Sequence, residues 1–373
     1  MKTANGHEFV AMLEKIVPRK LAMESDPTGL QLGDLSKKVR KIMFTLDVLE
    51  DVVEEAIEQG VDMIIAHHPF LFRPVHKIDM ETAQGRMIRK LIKHDIIVYA
   101  AHTNLDIAKG GVNDILANLL ELKETEVIVP THVEKYLKVV VFVPKESCET
   151  VRQVLMNNGA GQIGTEYESC SFEVMGTGKF KPSEKASPTI GKKGELAHVD
   201  EVRLEAIITE DLALQAVKAV KAAHPYEEPA IDLYPLEGLK HVEGLGRVGT
   251  LAKEMPLEVF VDIVKGVLSI EHLRLIGDPE TKVKKVAVLG GDGNKFIHDA
   301  KRSGADVLIT GDIYYHTGHD LLAIGLPTID AGHNIEKVMK SYLKAEFEER
   351  SKEQGIEVEL VVSEKNTDPF TFL

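Results

Sequence analysis

The sequence predicts an α/β protein in which two pseudo-symmetric βαβ halves form one core, with an α+β ferredoxin-like domain inserted between them. Three observations lead there. From Lys41 onward, short apolar runs alternate with amphipathic stretches at the spacing of βαβ units. The same pattern returns near the C-terminus. Between the two, residues 129–237 carry an element set complete in itself, which divides the chain into an outer core of 1–128 plus 238–373 and an inserted domain.

The elements follow in order. Gly6 to Ile16 has helical periodicity with Pro18 as a stop, and Ser25-Asp26-Pro27-Thr28-Gly29 reads as a turn. The run from Lys41 to Val48 is an apolar strand, 49–60 an amphipathic helix ending at Gly60, 61–66 a second strand, 82–94 a helix and 95–101 a third strand. A mostly parallel sheet covered by helices follows from that spacing. Near the C-terminus, 284–293, 305–312 and 326–332 read as strands, with a helix over 295–304. Gly60 to Ile65 matches Gly304 to Ile309, and Asn104-Leu105-Asp106 matches Asn334-Ile335-Glu336. Any two βαβ units share an apolar pattern; the shared carboxylate after Asn is what a diverged duplication adds. The middle reads strand (136–144), helix (146–159), a Gly/Ser/Thr-rich hairpin region (169–188), strand (202–209), helix (212–225) and strand (228–236). That is the split βαβ order. An irregular extension of the main sheet is the alternative.

Composition narrows the function classes. The 373 residues include 45 Lys plus Arg against 59 Asp plus Glu, a net charge of -14 that gives no long-range attraction for nucleic acid. With 44% apolar residues, a large core spread over two or three domains is available. Cys148 and Cys170 make neither a disulfide framework nor a thiolate zinc site, and point to a reducing compartment. The N-terminus lacks the apolar core of a signal peptide and no run approaches ~18 apolar residues, so a soluble cytoplasmic protein is expected, with no membrane partner.

Chemistry concentrates at strand ends. His67-His68-Pro69 closes the second strand, where the ligand crevice of an open α/β sheet lies. Two neutral imidazoles there suit a divalent metal if the strand bends so that both reach one side. The third strand leads into His102-Thr103-Asn104-Leu105-Asp106, and its counterpart offers His333 and Glu336 at i, i+3, which face each other if a helix starts there. Meeting of the two halves would gather His67, His68, Asp106, His333 and Glu336. Five N/O ligands exceed the need of one tetrahedral zinc and suit two metals with Glu336 bridging. Zn, Mn, Fe and Co all accept such a set. Asp47 and Asp312 stand at strand ends either as acceptors for the ligands or as plain sheet-edge polar residues, and the i, i+3 pair His316 and His319 is a candidate proton shuttle or substrate contact, with solvated side chains as the alternative. Gly244 to Gly249 has the letters of a dinucleotide fingerprint, but Pro256 follows and no strand-turn-helix context surrounds it. Leu289 to Asn294 is a tight turn or an anion-holding loop. His76, His94, His224 and His272 have no partner in the pattern.

The set Ala66-His67-His68-Pro69, His102 to Asp106, Gly244 to Gly249, Leu308 to Asp312 and Ala331 to Glu336, in this order, resembles the Nif-three-like dinuclear-metal family, the type 2 GTP cyclohydrolase I homologues. The resemblance spans 1 to about 128 and about 238 to 373. It implies metal ligands at His67, His68, Asp106, His333 and Glu336, two divalent ions per chain, and a toroidal homohexamer. It also implies a metal-dependent hydrolase in which a metal-activated hydroxide attacks C8 of the guanine of GTP; a regulatory or scaffolding metal-binding assembly is the alternative. The inserted segment, with His224-Pro225-Tyr226-Glu227-Glu228-Pro229 and Asp232 to Pro235, is similar to the PII- and CutA-like domain of the longer members. One departure is visible: Ser25-Asp26-Pro27-Thr28 stands where many members have Trp-Asp-Asn.

Overall fold

The computed structural model describes residues 2–164 and 166–372; Met1 and Leu373, the outer limits of the expected core, and Thr165 lie outside the described residues. The first helix, α1 (Gly6–Ile16), starts at a capping box in which the Asn5 side chain accepts from the Glu8 amide and Glu8 accepts from the Asn5 amide. It buries Phe9, Met12, Leu13 and Ile16. Then follow β1 (Gly29–Leu32), β2 (Lys41–Thr45), α2 (Glu50–Glu58), β3 (Met63–Ala66), α3 (Ala83–Lys93) and β4 (Ile97–Ala100). Strands β2, β3 and β4 are parallel, and β1 closes the edge antiparallel to β4. Every residue of β3 and β4 is buried, as a parallel sheet covered on both faces requires. Met43, Ile64 and Val98 pack toward α2 and α3, while Phe44, Ile65 and Tyr99 pack in the same cluster as α1. Two short helices, α4 (Thr103–Ile107) and α5 (Val112–Leu119), follow β4.

Contacts divide the chain into two compact units, 2–132 with 243–372, and 133–242. The second unit runs through β5 (Lys123–Pro144), α6 (Cys148–Asn157), β6 (Phe172–Phe180), β7 (Ala197–Thr209), α7 (Glu210–Ala223) and β8 (Ile231–Pro256), the first and last of these strands continuing past its limits. Strand β7 pairs antiparallel with both β5 and β6. Alternate residues Val139, Val141, Val143, Val202, Leu204, Ala206 and Ile208 form a core with α6 and α7. Phe142, Glu201 and Arg203 occupy the opposite sheet face by the same alternation.

The first unit resumes with α8 (Leu257–Leu268), β9 (Arg274–Ile276), β10 (Lys282–Asp292), α9 (Ile297–Arg302), β11 (Val307–Gly311), α10 (Tyr315–Ala323), β12 (Thr328–Asp330), a 3-10 turn (His333–Val338), α11 (Met339–Glu353) and β13 (Glu359–Val362). Strands β10, β11 and β12 are parallel, with β9 antiparallel at the edge beside β12. That repeats the arrangement of β2, β3, β4 and β1. The remaining neighbours differ: β13 adds parallel to β2, whereas β8 adds antiparallel to β10.

Two sequence features take bland forms. Gly244 to Gly249 lies inside β8, where a Cβ at Gly244 would come within 2.0 Å of the Val129 carbonyl oxygen, so close strand contact and not a dinucleotide turn explains that glycine. After Leu289 the Asp292 carboxylate accepts from the Asn294 amide at 2.9 Å, closing a tight turn. Among the described residues, no helix is long and apolar enough to cross a membrane.

Candidate metal centre

The carboxyl ends of β3, β4 and β12 bring the predicted ligands together within the first unit. The amides of His67 and His68 donate to the successive carbonyls of Thr45 and Leu46. A parallel ladder uses alternate residues toward one neighbour, so this pattern marks where the pleat ends and both rings turn to the same side, their centroids 4.9 Å apart. Glu336 sits in the 3-10 turn after Gly332, whose φ of 81° suits glycine, and the i, i+3 spacing places it against His333. Room for its carboxylate comes from Gly291, where a Cβ would lie 2.6 Å from Glu336 Oε1.

Glu336 Oε2 is the centre of the cluster. It lies 3.1 Å from His68 Nε2, 3.2 Å from His333 Nε2 and 3.5 Å from His67 Nε2; Asp106 Oδ1 lies 3.5 Å from His67 Nε2. All three imidazoles are anchored through their other nitrogen: His67 Nδ1 donates to the Ala101 carbonyl at 2.8 Å, His68 Nδ1 to Asp47 at 2.7 Å and His333 Nδ1 to Asp312 at 2.7 Å. A carbonyl only accepts, so His67 carries its proton on Nδ1 and turns an Nε2 lone pair inward. Such outer hydrogen bonds orient metal-ligating histidines.

The residues fit a cation on grounds internal to the structure. His67 Nε2 and Asp106 Oδ1 are buried polar atoms without a hydrogen-bond partner, a costly state that an ion between them would relieve. His67, His68 and Glu336 offer donor atoms all within 4.8 Å of one another. The titration directions agree. Burial opposes charge on His68, yet Asp47 and Glu336 carry it up to about 10. The Glu336 bond raises His333 to about 9 against burial. Burial likewise opposes the charge of His67, but Asp106 and Glu336 raise it. Burial pushes the Asp106 carboxyl up to about 6, while Glu336 is held well below the carboxylate range because the three histidines outweigh its burial. The cluster attracts positive charge, and a metal ion would compete with protons for it.

Asp47 and Asp312 therefore serve as acceptors for the imidazoles of His68 and His333. His316 and His319 lie on α10 against the Tyr315 ring, His319 at 4.9 Å, and neither is among the groups that converge on Glu336. His224, without a partner in the sequence pattern, is buried and accepts the Tyr226 amide on Nδ1.

Sequence reasoning gave no role to two further parts of the site. His102 packs its ring 5.4 Å from His67 and 5.7 Å from His68, and its Nδ1 bonds Asp26 at 2.7 Å. Asp26 also accepts from the Thr103 hydroxyl, and these bonds hold its carboxyl below the usual range despite burial. Both sit in quoted motifs, but only folding shows that they meet. The C-terminal segment is the other: Thr367 donates to Asp47 at 2.5 Å, and Thr367 to Phe370 line a 470 Å³ cavity with Leu46, Leu49, His68 and His333.

Fold and site together define an α/β protein whose repeated parallel sheets converge on a His and carboxylate cluster. The family model described as Duf34/NIF3 (NGG1p interacting factor 3) matches residues 4–369, and the chain belongs to that family. A Listeria innocua protein named GTP cyclohydrolase 1 type 2 homolog is 63% identical over 100% of both chains, and one of the same name from Bacillus subtilis is 50% identical over 100% of both. The crystal structure of a Bacillus cereus protein related to NIF3 matches over 100% of each chain, with TM-score 0.83 and 48% identity.

Proposed function

We propose that this protein holds two divalent ions at His67, His68, Asp106, His333 and Glu336, and hydrolyses a small molecule in the adjoining 470 Å³ cavity. The observation that carries the reading is the convergence of three Nδ1-anchored imidazoles on one buried carboxylate, beside two partnerless buried ligand atoms. Glu336 is the bridging candidate because three of the four other groups meet its Oε2. Such ions supply Lewis acidity that lowers the pKa of water and polarises the group attacked.

The chain's own residues do the rest. Asp47, Ala101 and Asp312 hold the imidazoles in one tautomer, and Leu46, Leu49 and Phe370 give the cavity apolar walls. His102, held through Nδ1 by Asp26, keeps Nε2 for carrying a proton beside the cluster. The name borne by the relatives makes GTP the first substrate to test, with ring opening at the guanine as the reaction. The described cavity walls carry a few large apolar groups and no Walker loop, so phosphoesters and amides belong in the same screen.

Metal analysis of the purified protein should return close to two ions per chain. Turnover assays on GTP, phosphoesters and amides with the reconstituted protein then test hydrolysis. A fully loaded protein inert toward every substrate class would leave the metal-binding assembly reading, which a homohexameric mass in sedimentation would fit.

A further inference from the structure

The sheet face of the second unit that turns away from α6 and α7 carries a cavity of 370 Å³, inside the size range of small-molecule sites. Glu201 of the central strand β7 reaches into it. A glutamate on the outer face of such a sheet would ordinarily be hydrated, yet this one is only 7% exposed. The segment 182–195 and the turn after α7 cover it, tied together by the Ser187 amide donating to Glu227 and the Thr189 hydroxyl donating to the Pro225 carbonyl. Space for the carboxylate is made by Gly178 on β6, where a Cβ would lie 2.1 Å from Glu201 Oε2.

The buried charge is poorly compensated. Among the described residues, its hydrogen bond comes from the neutral Tyr226 hydroxyl at 2.7 Å, and no lysine or arginine forms an ion pair with it. A buried carboxylate without a cationic partner is costly. Tyr226 is itself fixed: its amide donates to His224 Nδ1, and His224 Nε2 donates to the Phe142 carbonyl at 3.0 Å. The remaining walls include Phe142 and Phe180, the latter edge-on to Tyr226 at 5.5 Å, with Ile190 from the covering segment. Aromatic faces around a carboxylate favour a cation over an anion or a neutral ligand. Lys179, Lys181, Glu227 and Glu228 stand exposed at the rim, so the approach carries no strong charge of either sign.

We propose that this cavity binds a small organic cation, an ammonium or guanidinium on an apolar or aromatic stem, with Glu201 as its counter-ion. The site belongs wholly to the second unit, and its test stands apart from that of the metal centre. The probe is 2-phenylethylamine, titrated calorimetrically into the full-length protein, with 2-phenylethanol as the neutral analogue of the same shape. The expected result is saturable binding of the amine at least about tenfold tighter than of the alcohol. Glu201→Gln, which keeps the shape and the Tyr226 bond, should weaken the amine by about tenfold or more. Because that substitution touches a central strand, Ile190→Trp provides a second arm: it fills the cavity from the covering segment and should abolish binding without altering the circular dichroism. Absence of amine binding, equal binding of the alcohol, or amine binding unchanged in both variants would overturn the proposal.

Discussion

Each of the three clustered imidazoles presents Nε2 because something fixed holds Nδ1, and the fixing groups differ in strength. A backbone carbonyl holds His67, while carboxylates hold His68 and His333. Replacing Asp47 or Asp312 by Asn should therefore weaken metal affinity by roughly 10–100-fold without removing a ligand. Glu336→Ala should release both ions, whereas Asp106→Ala should weaken one preferentially, since a bridging group serves two ions and a terminal one does not; metal content per chain after dialysis reads the difference. In the metal-free protein the histidine shifts carry a sign. His68 and His333 are raised to about 10 and about 9, so their contribution to stability is complete below the unfolded value near ~6.5 and is lost as pH rises through 9–10. Melting temperature of the stripped protein should fall across that window, and a flat profile would mean that the imidazoles do not hold protons as the charges around them require. The five ligand candidates were legible because strand ends and the recurring Asn-x-carboxylate pattern are local signals. The Asp26–His102 pair was not, since its partners stand 76 residues apart.

At the scale of elements, the two halves are built alike and contribute unlike residues. The end of β3 supplies His67 and His68, while the end of β11 supplies Asp312, which accepts from His333 instead of pointing a donor at Glu336. The repeat thus yields an imidazole of the cluster in one half and a carboxylate that holds another imidazole in the other. The C-terminal segment extends this support: Thr367 donates to Asp47, which in turn holds His68. Thr367→Val should lower metal affinity by less than the Asp47 substitution, about tenfold at most, because Asp47 keeps its bond to His68. An effect equal to that of Asp47→Asn would show that Asp47 depends on the segment for its position. No sequence signal marks this contact, which joins positions 320 residues apart. The lengths of β5 and β8 were hidden for a different reason. Pro130 and Gly238 ordinarily punctuate strands, and here the strands run through them, so the strands expected over 136–144 and 228–236 extend back to 123 and on to 256.

For the whole molecule, the division into units predicts what can be removed. All five ligand candidates, the groups that hold their imidazoles, Asp47, Ala101 and Asp312, and the neighbouring Asp26 and Thr367 belong to the first unit. Its principal apolar cluster draws only on residues before 133 and after 242, and the cluster around Val141 and Leu204 draws only on residues between. Within the first unit the two ends of the excised segment already meet, the Thr131 hydroxyl donating to the Glu243 carbonyl at 3.4 Å. A chain in which a short Gly-Ser linker joins His132 to Glu243 should therefore fold and bind as many ions as the full-length protein, because loop closure over so short a span costs little. The isolated segment 133–242 should fold on its own core. Metal content, circular dichroism and thermal melts of the two chains provide the check. A folded core that no longer binds metal would mean that the second unit completes the centre, and an unfolded one would mean that β5 and β8 need their full lengths to form.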